Sequence, residues 1–224
     1  SGFFKNFNSL SIGYLCVIRI AKSSKTLKKC FVYEFIEELK TIKLPITKFN
    51  ALLQLLKRQI WQYGKINKVK ALEFAERLEK IVNLYNNRDK LTFSSEQVGA
   101  FIDDLSDQII DVMKSLKEDE ESFKELGITF EEKAFYDILV KVRNDHEFKY
   151  DDDKCLALAK KIKELVDDAS HYADWSTRSD TKNKLNQDLT VLLYENGYPP
   201  EWDEEVFNKV MEQAENFKKY RGED

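Results

Sequence analysis

The chain has 224 residues, 34% charged and 42% hydrophobic, with only 7 glycines and 3 prolines; it is long enough to bury a sizeable core and too poor in turn residues to suit a β-rich fold. Lysine and arginine number 36 against 40 aspartates and glutamates, a net charge of −4, so there is no surface-wide attraction for nucleic acid or anionic membrane, and any DNA contact must be local. Cys16, Cys30 and Cys155 are odd in number and lack CxxC spacing, which argues against a disulfide framework and a zinc site and points to a reducing cytoplasm.

Residues 1–25 are left unassigned, because Leu10–Ile20 fits a strand or a short buried helix equally. Its apolar run from Ile12 is interrupted by Gly13 and Arg19, too weak for a membrane span or a signal peptide. The chain opens on Ser1 and Gly2 without a methionine, and the expectation is a piece of a longer protein. A helical pattern runs over Leu27–Lys40 and is broken by Pro45, whose ring removes the N–H and clashes with the preceding turn.

The next helix carries Phe49, Leu52, Leu53, Leu56 and Ile60 on one face, and its successor Ala71, Phe74, Ala75, Leu78, Ile81, Val82 and Tyr85. After the polar loop NNRDKLTFSS, Ser94 and Gln97 suit a capping box ahead of a stripe from Val98 through Phe101, Leu105 and Ile109 to Leu116, read as a central core helix. Gly127 then ends the acidic run, and Thr129 with Glu132 offers a second capping box before Phe135, Ile138, Leu139 and Val142. NDHEFKYDDDK reads as a surface loop, followed by stripes at Leu156, Ala159, Ile162, Leu165, Val166 and at Leu185, Leu189, Leu192, Leu193.

The corner LYENGYPPEW holds two of the three prolines. Gly197 is placed for a left-handed C′ position, letting Tyr198 fold back toward Leu193 as a Schellman cap, while Pro199 and Pro200 forbid continuation. Asp203 is expected to N-cap a last helix with Val206, Phe207, Val210, Met211, Ala214 and Phe217 inside, and Trp202 to pack under the corner. The fold class that follows is all-α: a multi-helix, bundle-like helical domain over 26–224, whole or divided into two helical subdomains near 88–95.

Candidate chemistry is sparse. His146 and His171 stand outside any catalytic spacing, and no GxxxxGK[ST] or GxGxxG phosphate loop occurs. Glu131 with Lys133 and Asp152 with Lys154 form acid-x-lysine pairs, but both acids sit where a helix start favours negative charge. No catalytic, cofactor-binding or metal-ligating residue is therefore assigned. The one local excess of positive charge is residues 51–70, with Lys57, Arg58, Lys65, Lys68 and Lys70, no acid, and Trp61 and Tyr63 interleaved. Two readings stay open: a solvated basic face around a helix junction at Gly64, or a contact to DNA phosphates or an acidic protein partner.

Two blocks carry a resemblance. YGKINKVKALEFAERLEKIVNLYNNR, residues 63–88, and DWSTRSDTKNKLNQDLTVLLYENGYPPEWDEEVFNKVMEQAE, residues 174–215, with Asp174–Trp175, Gly197–Tyr198–Pro199–Pro200 and the closing QAE in that order, resemble the C-terminal helical region of the restriction subunit of type I restriction enzymes. The resemblance covers 45–220 and leaves the first 40 residues unmatched. It implies a parent that is an ATP-dependent DNA translocase and endonuclease using ATP and Mg²⁺, with its nuclease domain and two motor lobes preceding this region. It implies no cofactor and no catalytic residue at these positions. The partners it implies are the modification and specificity subunits and the motor domains; from the residues themselves come the cytoplasm, DNA as a further contact through 51–70, and no membrane.

Overall fold

A computed structural model describes residues 44–90, 94–170 and 178–220. The expected helix over 27–40, the segment 1–25, Cys16, Cys30, His171, Asp174 and Trp175 lie outside the described residues. Those described form α1 (Pro45–Gly64), α2 (Lys68–Asn86), α3 (Ser95–Glu121), α4 (Phe130–Asp145), α5 (Asp152–Ser170), α6 (Ser179–Glu195) and α7 (Asp203–Tyr220), with short 3-10 turns at Arg88–Lys90 and Pro200–Trp202 and no strand among them. The protein is all-α.

Helix starts follow local chemistry. Pro45 opens α1 at a position whose N–H has no partner to lose. Both capping boxes form: the Gln97 amide N–H donates to Ser94 Oγ at 3.3 Å while Ser94 N–H donates to Gln97 Oε1 at 2.8 Å, and Thr129 and Glu132 repeat the exchange at 3.1 and 2.7 Å. Asp203 departs from expectation. The turn at 200–202 runs straight into α7, and Asp203 is already helical at φ −62°, ψ −38°, so it joins Glu204 and Glu205 as acids in the first turn instead of capping it.

Helix ends show one motif three times. Gly197 at φ +69° lets Tyr198 N–H reach Leu193 O and Gly197 N–H reach Tyr194 O, both at 3.0 Å, the expected Schellman pair. Gly127 at φ +63° does the same for α3's trailing turn through Ile128 and Phe123. A third copy closes α4 with Phe148 N–H on Arg143 O, and there a glutamate, Glu147 at φ +53°, occupies the left-handed position.

The apolar stripes assemble into two cores. α1, α2 and α3 enclose Phe49, Leu52, Leu56, Phe74, Leu78, Leu105 and Ile109, with Phe49 stacked on Tyr85 at 4.1 Å. α4 to α7 enclose Phe135, Ile138, Leu158, Ile162, Leu189, Tyr198, Val206 and Val210. The chain crosses between cores at 122–129, whereas 88–95, the expected subdivision, joins two helices of the first core. α3 is thus central to one bundle, not to the whole. In α5 the buried set is Cys155, Leu158, Ala159, Ile162 and Val166, so the stripe lies one position from Leu156, and burial pushes the Cys155 thiol up to about 11.

A buried polar cluster joins the bundles. Lys133, 4% exposed at the start of α4, donates to Asp137 Oδ2 at 2.6 Å and to Asp119 Oδ2 of α3 at 3.3 Å. The same Asp137 oxygen accepts Asn67 Nδ2 at 2.6 Å, and Tyr63 Oη donates to Asp119 at 2.5 Å. Burial pushes the Asp137 carboxyl up against the opposing pull of the Lys133 ammonium, and burial with the Asp119 charge pushes the Tyr63 phenol up.

Lys133→Met is expected to cost about 3–5 kcal/mol in urea unfolding by leaving Asp137 buried and unpaired. Because that carboxyl is then more readily protonated in the folded than in the unfolded chain, the deficit should narrow as pH falls from 8 toward 5. Glu147→Gly should raise stability by about 1 kcal/mol, since glycine takes the left-handed conformation without steric cost.

Candidate interaction surface

The basic stretch 51–70 spans the C-terminal half of α1, the turn 65–67 and the start of α2. Carbonyls at the end of α1 and the first N–H of α2 have no partner within their own helices. α7 supplies them. Asn216 Nδ2 donates to Gly64 O at 2.8 Å and Lys65 O at 3.0 Å. Gln213, 1% exposed, donates from Nε2 to Ile66 O and accepts at Oε1 from Lys68 N–H, both at 2.9 Å. Lys68 adds an ion pair to Glu212, and Val69 packs into the second core. The last helix therefore clasps the turn of the first bundle by its main chain.

This clasp divides the six sequence candidates. Lys68 is drawn to Glu212, and Lys70 is held by Glu73 at 2.9 Å; burial alone would lower the Lys70 ammonium, but the Glu73 hydrogen bond and the Asp137 and Asp119 charges outweigh it and raise it. Burial lowers Lys57. Arg58 and Trp61 lie outside, Trp61 51% exposed. Lys65 Nζ stands 4.3 Å from the Trp61 ring centre and 5.0 Å from that of Tyr220, which Lys219 Nζ also approaches at 5.0 Å. Lys219 and Tyr220, some 150 positions along the chain, thus join the patch through Asn216, which the basic run alone could not indicate.

At the GYPP corner Gly197 turns the chain and Tyr198 enters the second core. Tyr198, 1% exposed, donates from Oη to Leu139 O at 3.0 Å and takes Phe148 and Tyr150 edge-on at 5.2 and 5.1 Å. Pro199 precedes and Pro200 opens the turn that leads into α7. Trp202 packs against the second core, stacked on His146 at 3.5 Å, and His146 Nε2 lies 2.7 Å from Glu205. Of the acid-x-lysine pairs, Glu131 is bound to Lys163 at 2.8 Å and Asp152 to Arg143 at 2.6 Å.

Among the described residues no three or more His, Cys, Asp or Glu side chains are grouped so that they could hold a metal ion. Nor is any described helix long and apolar enough to cross a membrane.

An all-α chain of two bundles held by its last helix, carrying the GYPP corner, matches the family model for the C-terminal region of HindI-like endonuclease subunits of type I restriction enzymes over residues 15–220. The chain belongs to that family. The match also takes in residues 15–44, which the resemblance had left out. Among curated relatives, it is 24% identical over 196 residues to a protein of Methanocaldococcus jannaschii named as the MjaIXP endonuclease subunit of a type I restriction enzyme, covering 88% of this chain and 17% of that one. It is 27% identical over 184 residues to the HindI endonuclease subunit of Haemophilus influenzae, covering 80% and 16%. The chain therefore spans less than a fifth of either relative. No solved structure matches it.

Gln213→Ala strips partners from a half-buried carbonyl and a half-buried N–H, and should cost about 1 kcal/mol. Combined with Asn216→Ala it should split a single urea transition into two, as the bundles unfold apart, when followed by far-ultraviolet circular dichroism.

Proposed function

We propose that this domain is a non-catalytic assembly module of a type I restriction enzyme endonuclease subunit, docking the ATP-dependent translocase and nuclease onto the modification and specificity subunits in the cytoplasm. The observation that carries this reading is the clasp of Gln213 and Asn216 on the turn 64–68, which makes the two bundles one body and holds their outer surfaces at a fixed spacing. A docking element needs that rigidity, because loose surfaces lose ordering entropy on binding. Lys133 with Asp137 and Lys163 with Glu131 are pairs that tie one helical turn or one helix to the next, which fits a role in holding. On α6, whose inner face is Leu185, Leu189 and Leu193, Val191 and Tyr194 are 54% and 74% exposed. A tyrosine presented this way suits an interface anchor.

Purified chain is expected to co-elute with a complex of modification and specificity subunits on size exclusion. Tyr194→Ser should weaken that association by about tenfold or more at unchanged helix content, the loss typical of an interface anchor. Failure of the chain to bind these subunits, or the motor part of its own subunit, overturns the reading.

A further inference from the structure

We infer that the seam between α1 and α7 is a binding site for single-stranded nucleic acid, with bases on Trp61 and Tyr220 and phosphates on Arg58 and Lys219. This goes beyond the docking reading and stands without it. The ends of two helices distant in sequence are brought side by side by the Asn216 bonds to Gly64 O and Lys65 O. Their aromatic rings and cations alternate: Trp61, Lys65, Tyr220, Lys219. One turn before Tyr220, Phe217 packs partly buried against the second core, and its ring meets that of Phe130, 46% exposed, edge-on at 6.2 Å.

Charge and ring geometry decide between occupants. α1 contains no acidic residue, and the acids of α7 closest to the seam are occupied, Glu212 by Lys68 and Glu215 by Lys182 at 3.4 Å. The patch sets Arg58, Lys65 and Lys219 near one another on a chain whose net charge is −4, and Asp119 behind it is tied to Tyr63 and Lys133, so attraction for a polyanion is local. An acidic peptide would use the cations and leave the indole face idle. Duplex DNA would meet the cations but keep its bases stacked inside. Unpaired bases use both, since every base has a face to lay on an aromatic ring while its phosphate reaches a neighbouring cation. Cations in the last turn of α7 also complement the helix dipole, but that accounts for Lys218 and Lys219 alone and not for a half-exposed tryptophan on the neighbouring helix.

The test is fluorescence anisotropy of the whole chain with labelled oligo-dT, oligo-rU, a duplex of the same length, and poly-glutamate as competitor, across a salt series. Binding of oligo-dT or oligo-rU, weakening with salt and exceeding duplex binding, supports the site. Trp61→Leu should weaken it about tenfold, as loss of one stacked base does, and Lys219→Ala should flatten the slope of log affinity against log salt by about 0.7. Lys160→Ala, an exposed lysine on α5, should change neither. Duplex binding as tight as single-strand binding, equal competition by poly-glutamate, indifference to Trp61→Leu in a variant of native circular dichroism, or no binding at low salt would each overturn the proposal.

Discussion

The interaction on which the architecture turns is the buried contact of Lys133 with Asp137 and Asp119, closed by Asn67 and Tyr63. Two bundles with separate apolar cores could slide against each other at little cost, because hydrophobic contact is not directional. Charges in the interior are directional. A shift of α4 by one residue would strand an ammonium or a carboxylate away from water, at a cost far above the net contribution of the pair when made. Such a cluster adds little to total stability and fixes which surfaces meet. Asn67 shows the economy of this: its side-chain oxygen accepts Lys70 N–H and caps α2, while its nitrogen holds Asp137 in the other bundle.

The clasp by α7 follows from that register. Once α4 lies against the turn of the first bundle, α7, which packs beside α4, passes within reach of the exposed main-chain groups at residues 64–68. A glutamine and an asparagine there do what backbone partners would do inside a helix. The junction therefore has one layer of buried ions and one of amides, with Val69 of α2 packed into the second core.

How far this was legible in the sequence depends on the range of the interaction. Helices and their boundaries rest on contacts within a few residues, and apolar spacing, the Ser94–Gln97 and Thr129–Glu132 boxes, Gly127 and Gly197 marked them correctly. Where a local signal is missing the sequence is silent or misleads: Glu147 holds a left-handed position within the expected loop without being glycine, and Asp203 reads as a cap because a 3-10 turn before it leaves no trace in composition. The junction was illegible for a different reason. Lys133, Asp137, Gln213 and Asn216 look like ordinary surface residues on polar faces, and their role comes from meetings across 14 to 152 positions. The basic stretch was legible as charge but not as two groups, Lys68 and Lys70 paired with Glu212 and Glu73 and Arg58 and Trp61 facing solvent, nor as lacking the share that Lys219 and Tyr220 contribute.

The clasp has one further property. Gln213 and Asn216 grip peptide carbonyls and a peptide N–H, atoms that every residue type except proline offers alike. Those four bonds therefore do not depend on the side chains at 64–66. A lineage could rewrite the outward chemistry at Arg58, Trp61 and Lys65, exchanging one recognised molecule for another, while the hinge-free body underneath stayed as it was.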